Sequence, residues 1–106
     1  MDNKEKVFWH KCFELFYGED APLIEMYCGW SECSLIKTEI VESLVALLNT
    51  YGEYCVSDVA KFLVIGFERI IGGIEFLNID FEILNDLAIE FDELYDEILN
   101  EGVAND

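Results

Sequence analysis

Beyond Arg69 the chain contains no lysine, arginine or histidine, although this stretch carries eleven carboxylates. Most folded proteins mix both signs of charge on their surfaces, because like charges repel one another and destabilise the compact state. A segment of this kind must hold its carboxylates in solvent or offer them to a partner that supplies the cations. The carboxylates are Glu75, Asp80, Glu82, Asp86, Glu90, Asp92, Glu93, Asp96, Glu97, Glu101 and Asp106.

The whole chain combines a net charge of −17 with 53% hydrophobic residues over 106 positions. Disordered chains pair high charge with low hydrophobicity, so this composition predicts a folded chain, and the length predicts one domain over residues 1–106. Nucleic acids and anionic membranes attract basic surfaces, so direct binding to either is not expected. No apolar run approaches the roughly 20 residues of a membrane span, and residues 1–6 lack the apolar core of a signal peptide.

The cysteines and the histidine are the residues to inspect for chemistry. Each cysteine lies among apolar residues, and the chain has enough of these to fold without cross-links, so we expect free thiols and a cytoplasmic location. His10 is the only histidine, and it shares no helix face with Cys12. The remaining thiols lack zinc-finger spacing. We therefore expect no enzyme activity, no metal and no cofactor. The cysteines are Cys12, Cys28, Cys33 and Cys55.

Apolar residues recur at helical spacing along most of the chain, which predicts an all-α fold, a compact bundle of four to five helices. Gly18 and Gly52 mark the ends of two helices, and Ser57 is the expected N-cap of a third. A break is expected near Gly29 or Ser31. The predicted helices span about residues 4–17, 20–36, 39–51, 58–71 and 80–101.

The segment 58–71 is apolar almost all round, so we expect it to be the central and most buried helix, with Phe62, Leu63, Ile65 and Phe67 in the core. Its β-branched residues would also suit a buried strand. In the last helix, apolar residues at intervals of three and four predict an inward-facing stripe. That stripe consists of Leu84, Leu87, Phe91, Leu94, Tyr95 and Ile98.

The carboxylates of the last predicted helix form a candidate binding surface. From Asp86 to Glu97 the helix rises about 17 Å, and six carboxylates in that length give about one charge per 3 Å, close to the roughly 3.4 Å spacing along one DNA strand. The alternative is an ordinary solvated helix face. The candidate residues are Glu82, Asp86, Glu90, Asp92, Glu93, Asp96 and Glu97.

Tyrosine and tryptophan commonly anchor protein interfaces, which makes Tyr27 and Trp30 further candidates for partner binding. The alternative is that both are ordinary half-buried aromatics. Because the N-terminal half has acids of its own, the interface could lie there rather than on the C-terminal helix.

Together these features favour a small acidic inhibitor that binds a basic protein such as a nuclease, a toxin or a defence effector. In size and composition the chain looks like nuclease immunity proteins and like phage anti-restriction or anti-CRISPR proteins that mimic nucleic acid, although it contains no family motif. The alternative is a structural helical subunit whose excess apolar surface closes a homodimer.

Overall fold

The computed structural model describes residues 1–102, which fold into helices joined by short turns, with no strand among them. This confirms the all-α bundle and excludes a strand at residues 58–71. No helix in the described part combines the length and apolar character needed to cross a membrane. Asp106 lies outside the described residues. The helices are α1 (Asn3–Tyr17), α2 (Ala21–Tyr51), α3 (Val56–Ile70), α4 (Phe81–Leu94) and α5 (Asp96–Gly102), with 3₁₀ turns at Gly18–Asp20 and Phe76–Asn78.

Glycines end the first two helices where the sequence predicts it. Gly18 follows α1 with φ 55°, and Gly52 closes α2 in the left-handed conformation with φ 81°. At the other end of α1, the carboxylate of Asp2 accepts a 2.9 Å hydrogen bond from the backbone N–H of Glu5. Local capping chemistry therefore sets both ends of α1.

A single element, α2, covers the predicted second and third helices, and it is kinked at Gly29. Gly29 has φ 64° and ψ −170°, a conformation suited to glycine, so the predicted break is confirmed there. The predicted boundary near Thr38 is wrong. Its hydroxyl donates a 2.9 Å hydrogen bond to the carbonyl of Ser34, four residues earlier, and so Thr38 sits inside the helix rather than capping a new one.

The start of α3 also differs from the prediction. The N-cap is Cys55 rather than Ser57. The backbone N–H of Cys55 donates a 3.0 Å hydrogen bond to the carboxylate of Asp58, so the N-cap amide has a partner at the start of α3. This bond holds the pKa of Asp58 below its ordinary value.

The four long helices form a ring in which α1 and α3 each pack against both α2 and α4, while α5 packs against α2. The ring of Phe67 on α3 lies at the centre of an aromatic cluster contributed by α1. Its centroid is 4.8 to 6.4 Å from four neighbouring ring centroids, so α3 also meets α1 through the core. The four neighbours are Trp9, Phe13, Phe16 and Tyr17.

The expectation that residues 58–71 would be the most buried segment is wrong. Leu63 and Phe67 are fully buried, but Phe62 is only partly buried and Ile65 is 44% exposed. The reason is that α3 occupies one place in the ring and turns its outer side to solvent. The buried residues of α1 are more numerous and larger: Phe8, Trp9, Cys12, Phe13, Phe16 and Tyr17.

The single C-terminal helix predicted over residues 80–101 is broken at Tyr95, which has φ −113° and ψ 20°. Before the break the inward stripe is as predicted, with Leu84, Leu87 and Phe91 buried and Leu94 partly buried. After it the buried residues are Tyr95 and Leu99, whereas Ile98 is 40% exposed. The prediction for Ile98 is wrong because the break changes the face that α5 turns to the core.

Candidate interaction surfaces

The carboxylate of Asp80 caps the start of α4. It accepts hydrogen bonds from the backbone N–H groups of Glu82 at 3.0 Å and Ile83 at 3.3 Å. The helix that follows buries its apolar stripe against α1 and α3. The opposite side of α4 must then face solvent.

Three of the predicted site residues lie together on that outer side. Glu82, Asp86 and Glu93 fall within about 40° of one another around the helix axis, at 100° per residue. All three are exposed, and no salt bridge within residues 1–102 reaches them. We call these three residues the acidic face of α4.

Glu90 and Asp92 lie on either flank of this face and take part in the fold. The ammonium of Lys11 on α1 is 3.5 Å from the Glu90 carboxylate. The hydroxyl of Tyr54, which precedes α3, donates a short hydrogen bond to Asp92. Burial, together with this bond, raises the pKa of Tyr54 well above its ordinary value. The predicted single stripe is therefore divided into an outward face and two intramolecular contacts.

Asp96 and Glu97 lie beyond the break at Tyr95, in the first turn of α5. Both are exposed. Because the helix is interrupted, they do not continue the acidic face of α4 in a straight line, as a single helix would have required.

Tyr27 and Trp30 lie near the kink of α2. Tyr27 is 79% exposed and shares one face of the helix with Leu23 and Met26, which are also exposed. Trp30 is 43% exposed and lines a cavity of about 120 Å³ next to Phe13. Tyr27 is therefore largely exposed rather than half-buried, so its ring is accessible to a partner.

Helix α1 separates the two sets of predicted site residues. Two adjacent residues of α1 contact different helices. The imidazole of His10 lies 2.7 Å from the Glu25 carboxylate of α2, and Lys11 contacts Glu90 of α4. His10 is also 2.5 Å from Glu14. The structure therefore places Tyr27 and Trp30 on one surface and the acidic face of α4 on another.

The cysteines fall into different environments, contrary to the expectation that all four sit in apolar surroundings. Cys12 and Cys33 are fully buried, and burial raises the pKa of Cys33 to about 12. Cys28 is partly buried, whereas Cys55 is exposed at the start of α3. The hydroxyl of Ser57 lies 2.9 Å from the Cys55 sulfur. Cys55 therefore belongs to a polar helix cap.

Within residues 1–102 no group of three or more His, Cys, Asp or Glu side chains could hold a metal ion, and no charged side chain is buried. The predicted site residues do not include the turn Phe76–Asn78, where two large apolar side chains, Phe76 and Leu77, are exposed. Apolar and polar residues alternate from Leu77 to Ile83, a pattern that favours a short extended piece, so the sequence gives no clear signal of an exposed turn. Comparison with protein-family models, curated protein sequences and solved structures finds no match to this chain.

Proposed function

We propose that this chain is a small acidic inhibitor that binds a basic, nucleic-acid-binding protein in the cytoplasm. The acidic face of α4 carries the proposal, because Glu82, Asp86 and Glu93 point to solvent without any countercharge from residues 1–102. In this function the chain acts by binding alone, with no catalytic step, metal or cofactor.

The charge density of α4 suits a site that ordinarily holds phosphates. From Glu82 to Glu93 the helix rises about 17 Å, and the three carboxylates of the acidic face give about one free charge per 6 Å, roughly half the charge density along one DNA strand. A basic site that releases counterions when it binds nucleic acid can also release them when it binds these carboxylates. Proteins of this kind include the nucleases and defence effectors that phage inhibitors and immunity proteins block.

Long-range electrostatics would make such an encounter fast and dependent on salt. The Debye length shrinks from roughly 14 Å at 0.05 M salt to about 4 Å at 0.5 M. Association should therefore slow steeply over this range, while dissociation should depend mainly on the apolar contacts.

A homodimeric structural subunit is the second candidate, and one surface favours it. A groove of about 460 Å³ between α2 and α3 exposes Ile65 beside Phe62. Its rim carries both signs of charge, with Arg69 close to Glu39 and Glu42. A rim of this kind can be complementary to itself across a two-fold axis.

The test uses two triple variants with the same net charge. The chain is immobilised at low salt, proteins from the host or from its competitors are captured, and a captured basic protein is purified. Reversal of the acidic face, by Glu82→Lys, Asp86→Lys and Glu93→Lys, should weaken its binding about 100-fold or more, mainly through slower association. The control carries Glu19→Lys, Glu53→Lys and Glu101→Lys, three exposed carboxylates away from this face.

The control variant should bind within a few-fold of wild type, and both should remain helical by circular dichroism. Equal weakening of both variants would show that net charge alone matters, which would contradict a role for this face. A stable dimer in sedimentation, with no affinity for any basic protein, would favour the structural subunit.

A further inference from the structure

Three large apolar side chains are exposed where the chain enters α4. Leu77 is fully exposed at 100%, Phe81 is 70% exposed and Phe76 is 53% exposed. Soluble proteins expose single apolar residues routinely, but a group of large ones within six positions indicates a contact surface. We call Phe76, Leu77 and Phe81 the apolar turn.

The surrounding structure holds the apolar turn in place. The backbone N–H of Glu75 donates a 3.0 Å hydrogen bond to the carbonyl of Phe16 at the end of α1. Two of the apolar residues around the turn are directed inward, Ile74 as part of the core and Ile79 packed against it. Because the turn is fastened on both sides, Leu77 is presented to solvent by a defined backbone, which lowers the entropy lost on binding.

The charges around the apolar turn select the kind of protein that can cover it. Glu75, Asp80 and Glu82 flank the three apolar residues, and residues 70–102 contain no cation. Lys11 of α1 lines the adjoining groove, but its ammonium is paired with Glu90. A two-fold contact between the turns of two copies would bring like charges together, and an anionic membrane would repel them. A protein with an apolar pocket bordered by lysine or arginine has the complementary charge.

We propose that the apolar turn is the anchor by which this chain docks into an apolar pocket with a basic rim on its protein partner. The inference rests on the proposed inhibitory function and assigns its apolar contact to this turn rather than to Tyr27 and Trp30. Phe81 directly precedes Glu82, so the anchor adjoins the acidic face of α4. Tyr27 and Trp30 instead lie across α1 from it.

The experiment measures binding of the purified basic partner captured with the wild-type chain. The test variant is Leu77→Ser with Phe81→Ser, and the matched control is Leu35→Ser with Tyr51→Ser, which also removes two exposed apolar side chains. The test variant should dissociate about tenfold faster or more, with association little changed, whereas the control should stay within about threefold of wild type. Both should keep the thermal midpoint of wild type, because these residues are exposed.

Each other outcome overturns the inference in a recognisable way. If the complex forms but Leu23→Ser with Tyr27→Ser weakens it while the test variant does not, the anchor is the Tyr27 surface and the inhibitory function survives. If the apolar turn instead mediates self-association in sedimentation, or binding to phosphatidylglycerol vesicles, its occupant is not a basic protein. If the wild-type chain captures no basic protein that salt releases, the proposed function and the inference both fail.

Discussion

The indole Nε1 of Trp9 donates a hydrogen bond of 3.0 Å to the hydroxyl oxygen of Tyr95, and both side chains are buried. The Tyr95 hydroxyl in turn donates a 2.7 Å bond to the carboxylate of Glu5. This short chain of bonds joins α1 to the break between α4 and α5. These bonds tie Tyr95, the residue at the break, to α1 in the core and account for its inward position.

The substitution Tyr95→Phe should destabilise the fold by about 1–3 kcal/mol, because it leaves the Trp9 N–H buried without an acceptor. Urea unfolding followed by tryptophan fluorescence measures the change. A loss smaller than about 0.5 kcal/mol would mean that another group, or water, satisfies the indole.

Tyr17→Phe is the matched comparison and should have the opposite outcome. Tyr17 is buried, and its hydroxyl has no hydrogen-bond partner within residues 1–102. The substitution breaks no hydrogen bond and removes an unsatisfied buried hydroxyl. The variant should therefore be as stable as wild type, or more stable by about 1 kcal/mol. Marked destabilisation in the same urea experiment would show that the hydroxyl has a partner after all.

Phe67 and Phe62 should differ strongly in their contribution to stability, although they lie on the same helix. Phe67 is fully buried among four aromatic rings of α1, so Phe67→Ala should cost about 3–5 kcal/mol. Phe62 is only partly buried, so Phe62→Ala should cost clearly less. Equal costs in chemical denaturation would contradict the one-sided burial of α3.

The cysteines should react with a thiol reagent at different rates in the native protein. Cys55 is exposed and should react first, whereas Cys12 and Cys33 are buried and burial raises the pKa of both thiols. Labelling with a maleimide at pH 7.5, followed by mass spectrometry of the digested protein, gives the order. A denatured sample, in which all the free thiols are accessible, is the control. Fast labelling of Cys33 in the folded protein would contradict its burial.

Several local features of the fold could be read from single residues. Gly18 and Gly52 end helices because they adopt positive φ at little steric cost, and Gly29 interrupts one for the same reason. The spacing of Leu84, Leu87 and Phe91 placed the inner face of α4 correctly. Glycine conformation and helical spacing act over a few residues, so the sequence alone determines these features.

Packing between distant segments determined the helix boundaries and buried faces that local patterns did not predict. Whether Thr38 starts a helix or continues one depends on the competition between local caps and tertiary contacts, and here the helix continues. The exposure of Ile98 follows from the break at Tyr95, and the Tyr95 hydroxyl is held by Trp9, 86 positions away in the chain. No local pattern contains that information.

The same division holds for the candidate surfaces. The sequence by itself determined that the C-terminal third is acidic and free of cations, because charge is a property of composition. Only the tertiary structure decided that Glu90 and Asp92 contact Lys11 and Tyr54, that α1 separates Tyr27 from α4, and that Leu77 stands exposed. The physical reason is that exposure and pairing depend on which helices meet, and these contacts form between residues far apart in the chain.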